Sequence, residues 1–210
     1  MEKDLLDKVY RETPLDKIPW NLESPPKVLV ELVENGKLTP CKAIDLGCGA
    51  GNYAIYLARK GFDVLGVDLA PTAIKLAREN AVKKNAECKF LVADLLNDLS
   101  ELPRDFEFGY DYEVLHHIFP EKRAKYAENV STLLKPGAKY LSVCFSEEDP
   151  QFGGEGKYRE TRLGTVLYFS SEDEIRTLFK PHFQVLELKT IEIAGKYTPH
   201  LAVCAYMERK

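Results

Sequence analysis

Apolar positions in the first forty residues fall at helical spacing in two short stretches separated by prolines. Leu5, Leu6 and Val9 form one stripe, and Pro14, Pro19, Pro25 and Pro26 then interrupt the chain. A second helix is predicted over roughly 26–35, with Pro26 near its start, Leu29, Leu32 and Val33 on one face, and Gly36 as its stop. Trp20, the only tryptophan, sits in the irregular stretch between them. From residue 42 the rhythm changes. Residues 43–46 read as a short buried strand, and a glycine cluster then opens a helix through Tyr53, Ile55, Leu57 and Ala58. Further strands are predicted over 62–67, 89–93, 106–110 and 139–145. Helices are expected from Pro71 to about Lys84 and from Glu121 to Leu134, the latter stopped by Pro136-Gly137. Ala70 is a poor cap for the first of these. Ser171 and Glu174 make a capping box ahead of Ile175, Leu178 and Phe179. Two long strands, about 183–193 and 198–207, close the chain as an antiparallel pair. Strands alternating with helices imply an α/β fold on a doubly wound, parallel sheet.

Length and composition narrow the class. The 210 residues fit one domain, 45% of them hydrophobic and 30% charged. No apolar run approaches the ~20 residues of a membrane span, and the charged, amphipathic N-terminus is unlike a signal peptide, so a cytoplasmic protein is expected. A net charge of -4 argues against a nucleic-acid partner. Cys41, Cys48, Cys88, Cys144 and Cys204 are scattered, with no C-x-x-C spacing to suggest a disulfide framework or a metal site.

The chemistry concentrates where the first strand meets its helix, at Asp45-Leu46-Gly47-Cys48-Gly49-Ala50-Gly51. Glycines there let the backbone turn tightly and let a ligand approach the main chain. A dinucleotide fingerprint would place a sixth-position glycine where Asn52 stands. Asp45 would repel a pyrophosphate, and no Lys or Arg occurs from 43 to 58. A cationic ligand without phosphates suits this loop better, its ammonium pairing with Asp45. Asp68, 21 residues after Gly47, ends the second strand at the position of a ribose-diol acceptor. Asp94 ends the third, within reach of an exocyclic amine. Three carboxylates at three successive strand ends lie where open parallel sheets bind ligands.

The segments AIDLGCGAGNYAIYLA, GVDLAPTAIKLA, LVADLL, YEVLHHI and LLKPGAKYLSV, in this order, resemble the class I S-adenosylmethionine-dependent methyltransferases over roughly 40–145. The resemblance implies a Rossmann-like sheet of seven strands, mostly parallel with an antiparallel C-terminal strand. It implies S-adenosyl-L-methionine as cofactor, with Gly47, Cys48, Gly49 and Gly51 at its methionine part. Asp68 with Leu69 would lie at the ribose, Asp94 with Leu95 at the adenine, and the strand end near Tyr110 at the methionine end. PWNLESPP, DYEVLHHIFPEKRAKYAENVSTLLKPG and the loop GGEGKY look more narrowly like the thiopurine, thiol and halide methyltransferase branch. That branch packs an N-terminal tryptophan over the cofactor, here Trp20, and sets a GG-P-P-Y loop beside the substrate. This chain departs there, with Glu155-Gly156-Lys157 in place of the two prolines. Tellurite-resistance and quinone-type enzymes share most of the other motifs. Residues 1–40 are accordingly expected to form a helical, proline-rich lid segment. Residues 41–210 would form the methyltransferase domain, with 146–165 as a substrate loop.

Methyl transfer needs alignment and exclusion of water, and a base only if the acceptor arrives protonated. His116 and His117 follow the fourth strand near the expected methyl group, and either imidazole could deprotonate an acceptor. Tyr158 could orient one. Trp20, Tyr112, His116 and Tyr158 are the candidate contacts of a small-molecule acceptor (a thiol, halide or hydroxyl), with His117 and Tyr158 the catalytic candidates. Nucleic-acid methylation is disfavoured, because the turn after the fourth strand reads Tyr110-Asp111-Tyr112-Glu113 rather than N/D-P-P-Y/F. A non-catalytic cofactor-binding module remains open, as does, more remotely, a nicotinamide oxidoreductase.

Overall fold

The computed structural model describes residues 3–153, 155–161 and 163–210. Helices α1 (Lys3–Glu12) and α2 (Lys27–Glu34) precede the alternating part of the chain, with a single 3₁₀ turn at Leu15–Lys17 between them. The alternation runs β1 (Lys42–Leu46), α3 (Asn52–Arg59), β2 (Asp63–Asp68), α4 (Pro71–Lys83), β3 (Cys88–Val92) and β4 (Phe106–Tyr112). It continues through α5 (Pro120–Leu133), β5 (Leu134–Phe145), a hairpin of β6 (Tyr158–Glu160) and β7 (Val166–Tyr168), and α6 (Glu172–Phe179). Strands β8 (Phe183–Ile193) and β9 (His200–Arg209) end it.

Seven strands form one sheet in the order β3-β2-β1-β4-β5-β9-β8. β1 to β5 are parallel, β9 is antiparallel to β5, and β8 is antiparallel to β9. Side chains alternate across a strand, so each central strand feeds two cores. Ala43, Val64, Phe108, Leu141 and Val143 pack with α2 and α3 on one face, where they are joined by Ile74 and Ala77 of α4. Ile44, Leu46, Leu65, Val67 and Tyr140 pack with α5 and α6 on the other. Both faces are covered, as a parallel sheet requires. The chain reverses its winding between β1 and β4, and a crevice opens there at the carboxyl ends of the strands.

Two expectations are corrected. Pro136-Gly137 does not separate a helix from a strand: β5 already begins at Leu134, and Gly137 adopts φ +80 within it. The pairing steps from Phe106↔Leu134 to Phe108↔Lys139, so the proline and glycine are absorbed as an irregularity of the strand. The second correction concerns 146–165, expected as loop throughout: residues 158–160 are strand β6, paired with β7, and Arg159 on that strand anchors the irregular stretch before it. The buried Arg159 guanidinium donates to the carbonyls of Glu147 (2.7 Å), Gln151 (3.1 Å), Gly156 (2.9 Å) and Asp149, and lies 4.1 Å over the Phe169 ring. Asp149 in turn accepts from the Leu201 amide at 2.6 Å. Gly154, counted with that loop, lies outside the described residues.

Candidate active site

The turn after β1 is tied to the end of β2 by backbone bonds. Gly47 and Cys48 both donate to the Val67 carbonyl, at 2.8 and 2.9 Å. Gly47 has φ +78, and a Cβ there would lie 2.3 Å from Val114 Cγ2; only glycine fits. Asp68 braces the same turn from below: its Oδ2 accepts from the Gly49 amide at 2.8 Å and its Oδ1 from the Ala70 amide at 2.9 Å. Asp94 is locally engaged too, accepting from the Leu96 amide at 3.0 Å and the Asn97 side chain at 2.9 Å.

A cavity opens over these strand ends. It is lined by Asp45, Gly47, Cys48 and Gly49 after β1, Asp68 and Leu69 after β2, and Asp94 and Leu95 after β3. Tyr112, Glu113, Val114, His117 and Ile118 complete the floor from β4 onward. The lining holds four carboxylates, and among the described residues no lysine or arginine. Asp45 is 3% exposed, and its Oδ2 has no hydrogen-bond partner. Burial raises its pKa to about 7, and the nearby Asp68 and Asp111 charges push the same way. The Tyr110 hydroxyl and the Ala54 amide pull the other way, and a cavity wall so rich in carboxylates fits a cationic ligand group.

The N-terminal segment forms the opposite wall through Leu6, Tyr10, Trp20, Asn21 and Leu22. Trp20 Nε1 donates to Tyr10 Oη at 2.8 Å, and the two rings meet edge-on at 6.1 Å. Asn52 ties this wall to α3 by donating to Asn21 Oδ1 (3.0 Å) and to the Leu22 carbonyl (3.1 Å). Lys196 bonds the Ile18 carbonyl at 2.7 Å.

Of the candidate residues, the cavity brings together Trp20, Asp45, Gly47, Cys48, Gly49, Asp68, Leu69, Asp94, Leu95, Tyr112 and His117. It does not include Gly51, Tyr110, His116 or Tyr158. Gly51, at φ +79, caps α3 behind the turn. The Tyr110 ring lies inside the core, its hydroxyl buried. His116 is stacked on Phe145 at 4.1 Å and accepts from the Phe145 amide at 3.4 Å, so its ring faces inward. Tyr158 is 56% exposed on β6, packed edge-on against Phe119 and Tyr168. His117 does line the cavity, but burial pushes its pKa down to about 3, which makes the imidazole a weak proton acceptor. Buried Arg123 holds the turn carrying it, donating to the Ile118 and Leu115 carbonyls at 2.6 and 2.9 Å.

The residues missed by sequence reasoning are chiefly Tyr10, Asn52, Tyr53 and Glu113. Tyr10 follows Leu6 by one helical turn, which was the one local signal for it. Glu113 carried none.

The comparisons with known proteins agree with this geometry. Residues 43–137 match the family model described as a methyltransferase domain. The chain is 29% identical, over 81% of its length, to a 2-heptyl-1-hydroxyquinolin-4(1H)-one methyltransferase of Mycobacteroides abscessus, of which it covers 78%. It is 29% identical, over 64% of its length, to a probable thiol methyltransferase 2 of Arabidopsis thaliana, of which it covers 60%. A solved structure from echinomycin biosynthesis, described for the conversion of a disulfide bond into a thioacetal group, superposes with a TM-score of 0.84. That superposition covers 99% of this chain and 92% of the other at 24% identity, a likeness that shows the fold. Sheet order and crevice are those of a Rossmann-like methyltransferase. Residues 43–137 thus carry a methyltransferase-domain match, on a sheet of the Rossmann-like fold. No helix among the described residues is long and apolar enough to cross a membrane.

Proposed function

We propose that this chain transfers the methyl group of S-adenosylmethionine to a small-molecule acceptor held under the N-terminal wall of the cavity. The observation that carries the reading is the lining by Asp45, Asp68, Asp94 and Glu113 without a facing lysine or arginine among the described residues. A pyrophosphate would be repelled there, whereas an ammonium group would complete Asp45. In this reading Asp45 and the Gly47–Gly49 turn hold the methionine part, Asp68 with Leu69 the ribose, and Asp94 with Leu95 the adenine. When bound, S-adenosylmethionine supplies an electrophilic methyl group on a sulfonium. The protein aligns the acceptor and excludes water, and such alignment is worth ~7–11 kcal/mol. Trp20, Tyr53 and Tyr112 give the acceptor an aromatic enclosure, with the Tyr53 and Tyr112 rings perpendicular at 5.6 Å. Leu6, Tyr10, Trp20, Asn21 and Leu22 wall one side of the cavity, which supports a small molecule over a polymer. The hydroxyquinolone and thiol relatives leave oxygen and sulfur acceptors both in view.

Equilibrium titration with S-adenosylhomocysteine tests the cofactor reading. Micromolar or tighter binding is expected, weakened by Asp68→Asn; no detectable binding at millimolar ligand would refute it. A radiolabelled scan of phenols, thiols and iodide then tests the acceptor.

A further inference from the structure

Glu113 stands immediately after β4 with φ +64, a left-handed backbone that a non-glycine residue rarely adopts. Asn85 and Phe152 share this conformation among the described residues, and neither lines the cavity. The position is held from both sides. Its amide donates to the Val143 carbonyl at 2.8 Å, and the following Val114 packs so closely on Gly47 that no Cβ fits between them. A strained backbone persists where surrounding structure over-determines it, and such sites cluster where a side chain must be aimed. The Glu113 side chain lines the cavity, and no hydrogen bond or ion pair to a described residue engages its carboxylate. Titratable neighbours are Tyr53 from α3 and Tyr112 from β4, with Asp45 and His117 in the same cavity. Burial raises the Glu113 pKa to about 8, near the value of a useful proton acceptor at neutral pH.

We infer that Glu113 is the general base of this methyltransferase and that its acceptor is an aromatic hydroxyl arriving with its proton. This rests on the reading of the cavity as a methyl-transfer site. Once ionised, as it becomes when pH rises through about 8, this carboxylate can take the proton of a neutral O–H, whereas a thiolate or halide has no proton to give it. Tyr53 and Tyr112 lie near enough to feel the Glu113 charge and line the same cavity, giving aromatic surface for a planar acceptor. In the transfer the acceptor oxygen forms a bond to the methyl carbon, and the carbon–sulfur bond breaks with its electron pair passing to sulfur. The hydroxyl proton passes to a Glu113 oxygen. The sulfonium charge is thereby discharged, and the carboxyl group ends neutral.

Glu113→Gln keeps the shape and removes the base. S-adenosylhomocysteine affinity of the variant, by calorimetry, should stay within about threefold of wild type, showing the cofactor region intact. Wild-type protein that fails to bind S-adenosylhomocysteine would overturn the cofactor reading itself, a result separate from any effect of Glu113. Against phenols with pKa near ~10, kcat should fall by ~10²–10⁴-fold with KM little changed. Against phenols already ionised at the assay pH the loss should shrink below about tenfold. Infrared difference spectra of the wild type without ligand should show a carboxyl band lost as pH rises through about 8, absent in Glu113→Gln. An equal loss across the phenol series, a wild type that methylates iodide or thiols but no phenol, or a carboxyl band unchanged in the variant would each overturn the inference.

Discussion

Asp7 of α1 accepts a hydrogen bond of 2.8 Å from the amide of Thr72, in the first turn of α4. The cap that Ala70 cannot provide comes from a residue 65 positions earlier. The same α1 carries Leu6 and Tyr10 into the cavity wall, so one bond joins helix capping to closure of the site.

Removing that bond should therefore cost stability. Asp7→Ala is expected to lose about 1 kcal/mol in urea unfolding, with the uncharged Asp7→Asn recovering only a small part of it. Burial works against its ionised form, but the Thr72 amide and hydroxyl and the Arg11 charge outweigh it and hold the carboxyl below its usual range. A depressed folded pKa stabilises the protein above the unfolded value of about 3.8 and loses that contribution as pH falls through the folded pKa. Unfolding curves of wild type and Asp7→Ala should accordingly converge in strong acid; a constant gap down to that range would refute the cap's charge.

Asp45 should behave in the opposite sense. Its folded pKa of about 7 lies above the unfolded value, so the native state holds a proton that the unfolded chain has shed. Its contribution to stability declines as pH rises from about 4 to 7 and then levels off. Asp45→Asn should erase this slope and leave the ligand-free protein at least as stable at pH 8. The same variant should bind S-adenosylhomocysteine ~10–100-fold more weakly, since a hydrogen bond to a charged group contributes ~1.5–3 kcal/mol. Unchanged affinity would remove Asp45 from the site.

Gly47→Ala tests the close approach of the β1 turn to the chain after β4. The left-handed conformation alone costs ~1–2 kcal/mol for an L-residue, and the clash with Val114 adds to it. Combining it with Val114→Ala should cost less than the sum of the two single changes, because the smaller side chain frees the space. Additive thermal-unfolding losses would show that the two residues do not meet.

Trp20 reports on the cavity directly, as the only tryptophan in the chain. Its emission should shift or quench on saturation with S-adenosylhomocysteine. Tyr10→Phe removes the acceptor of its indole N–H, so the ligand-free spectrum should change and stability fall by about 1 kcal/mol. A spectrum insensitive to both would place the indole elsewhere.

Much of the architecture is written locally. Ala43–Leu46, the glycine turn and the helix after it are neighbours in sequence, so their alternation and backbone demands are visible without a fold. Asp45, Asp68 and Asp94 were legible for the same reason: each sits at a strand end, and parallel pairing of β1, β2 and β3 brings such ends to one edge. Tyr158, His116 and Glu113 were not legible. The β6–β7 hairpin turns Tyr158 outward, and Phe145 on β5 draws His116 into the core. A left-handed turn, set by Val143 behind it and by the packing of Val114 on Gly47, presents Glu113 to the cavity.

The sequence by itself determined most strands and helices of the main sheet, though not the β6–β7 hairpin or the early start of β5, and the acid-lined glycine turn, because propensity, periodicity and capping act within a few residues. Only the tertiary structure decided which side chains share the cavity. Asp7 on Thr72, Lys196 on Ile18 and Val114 on Gly47 join positions 65 or more apart, and no local pattern encodes where such partners meet.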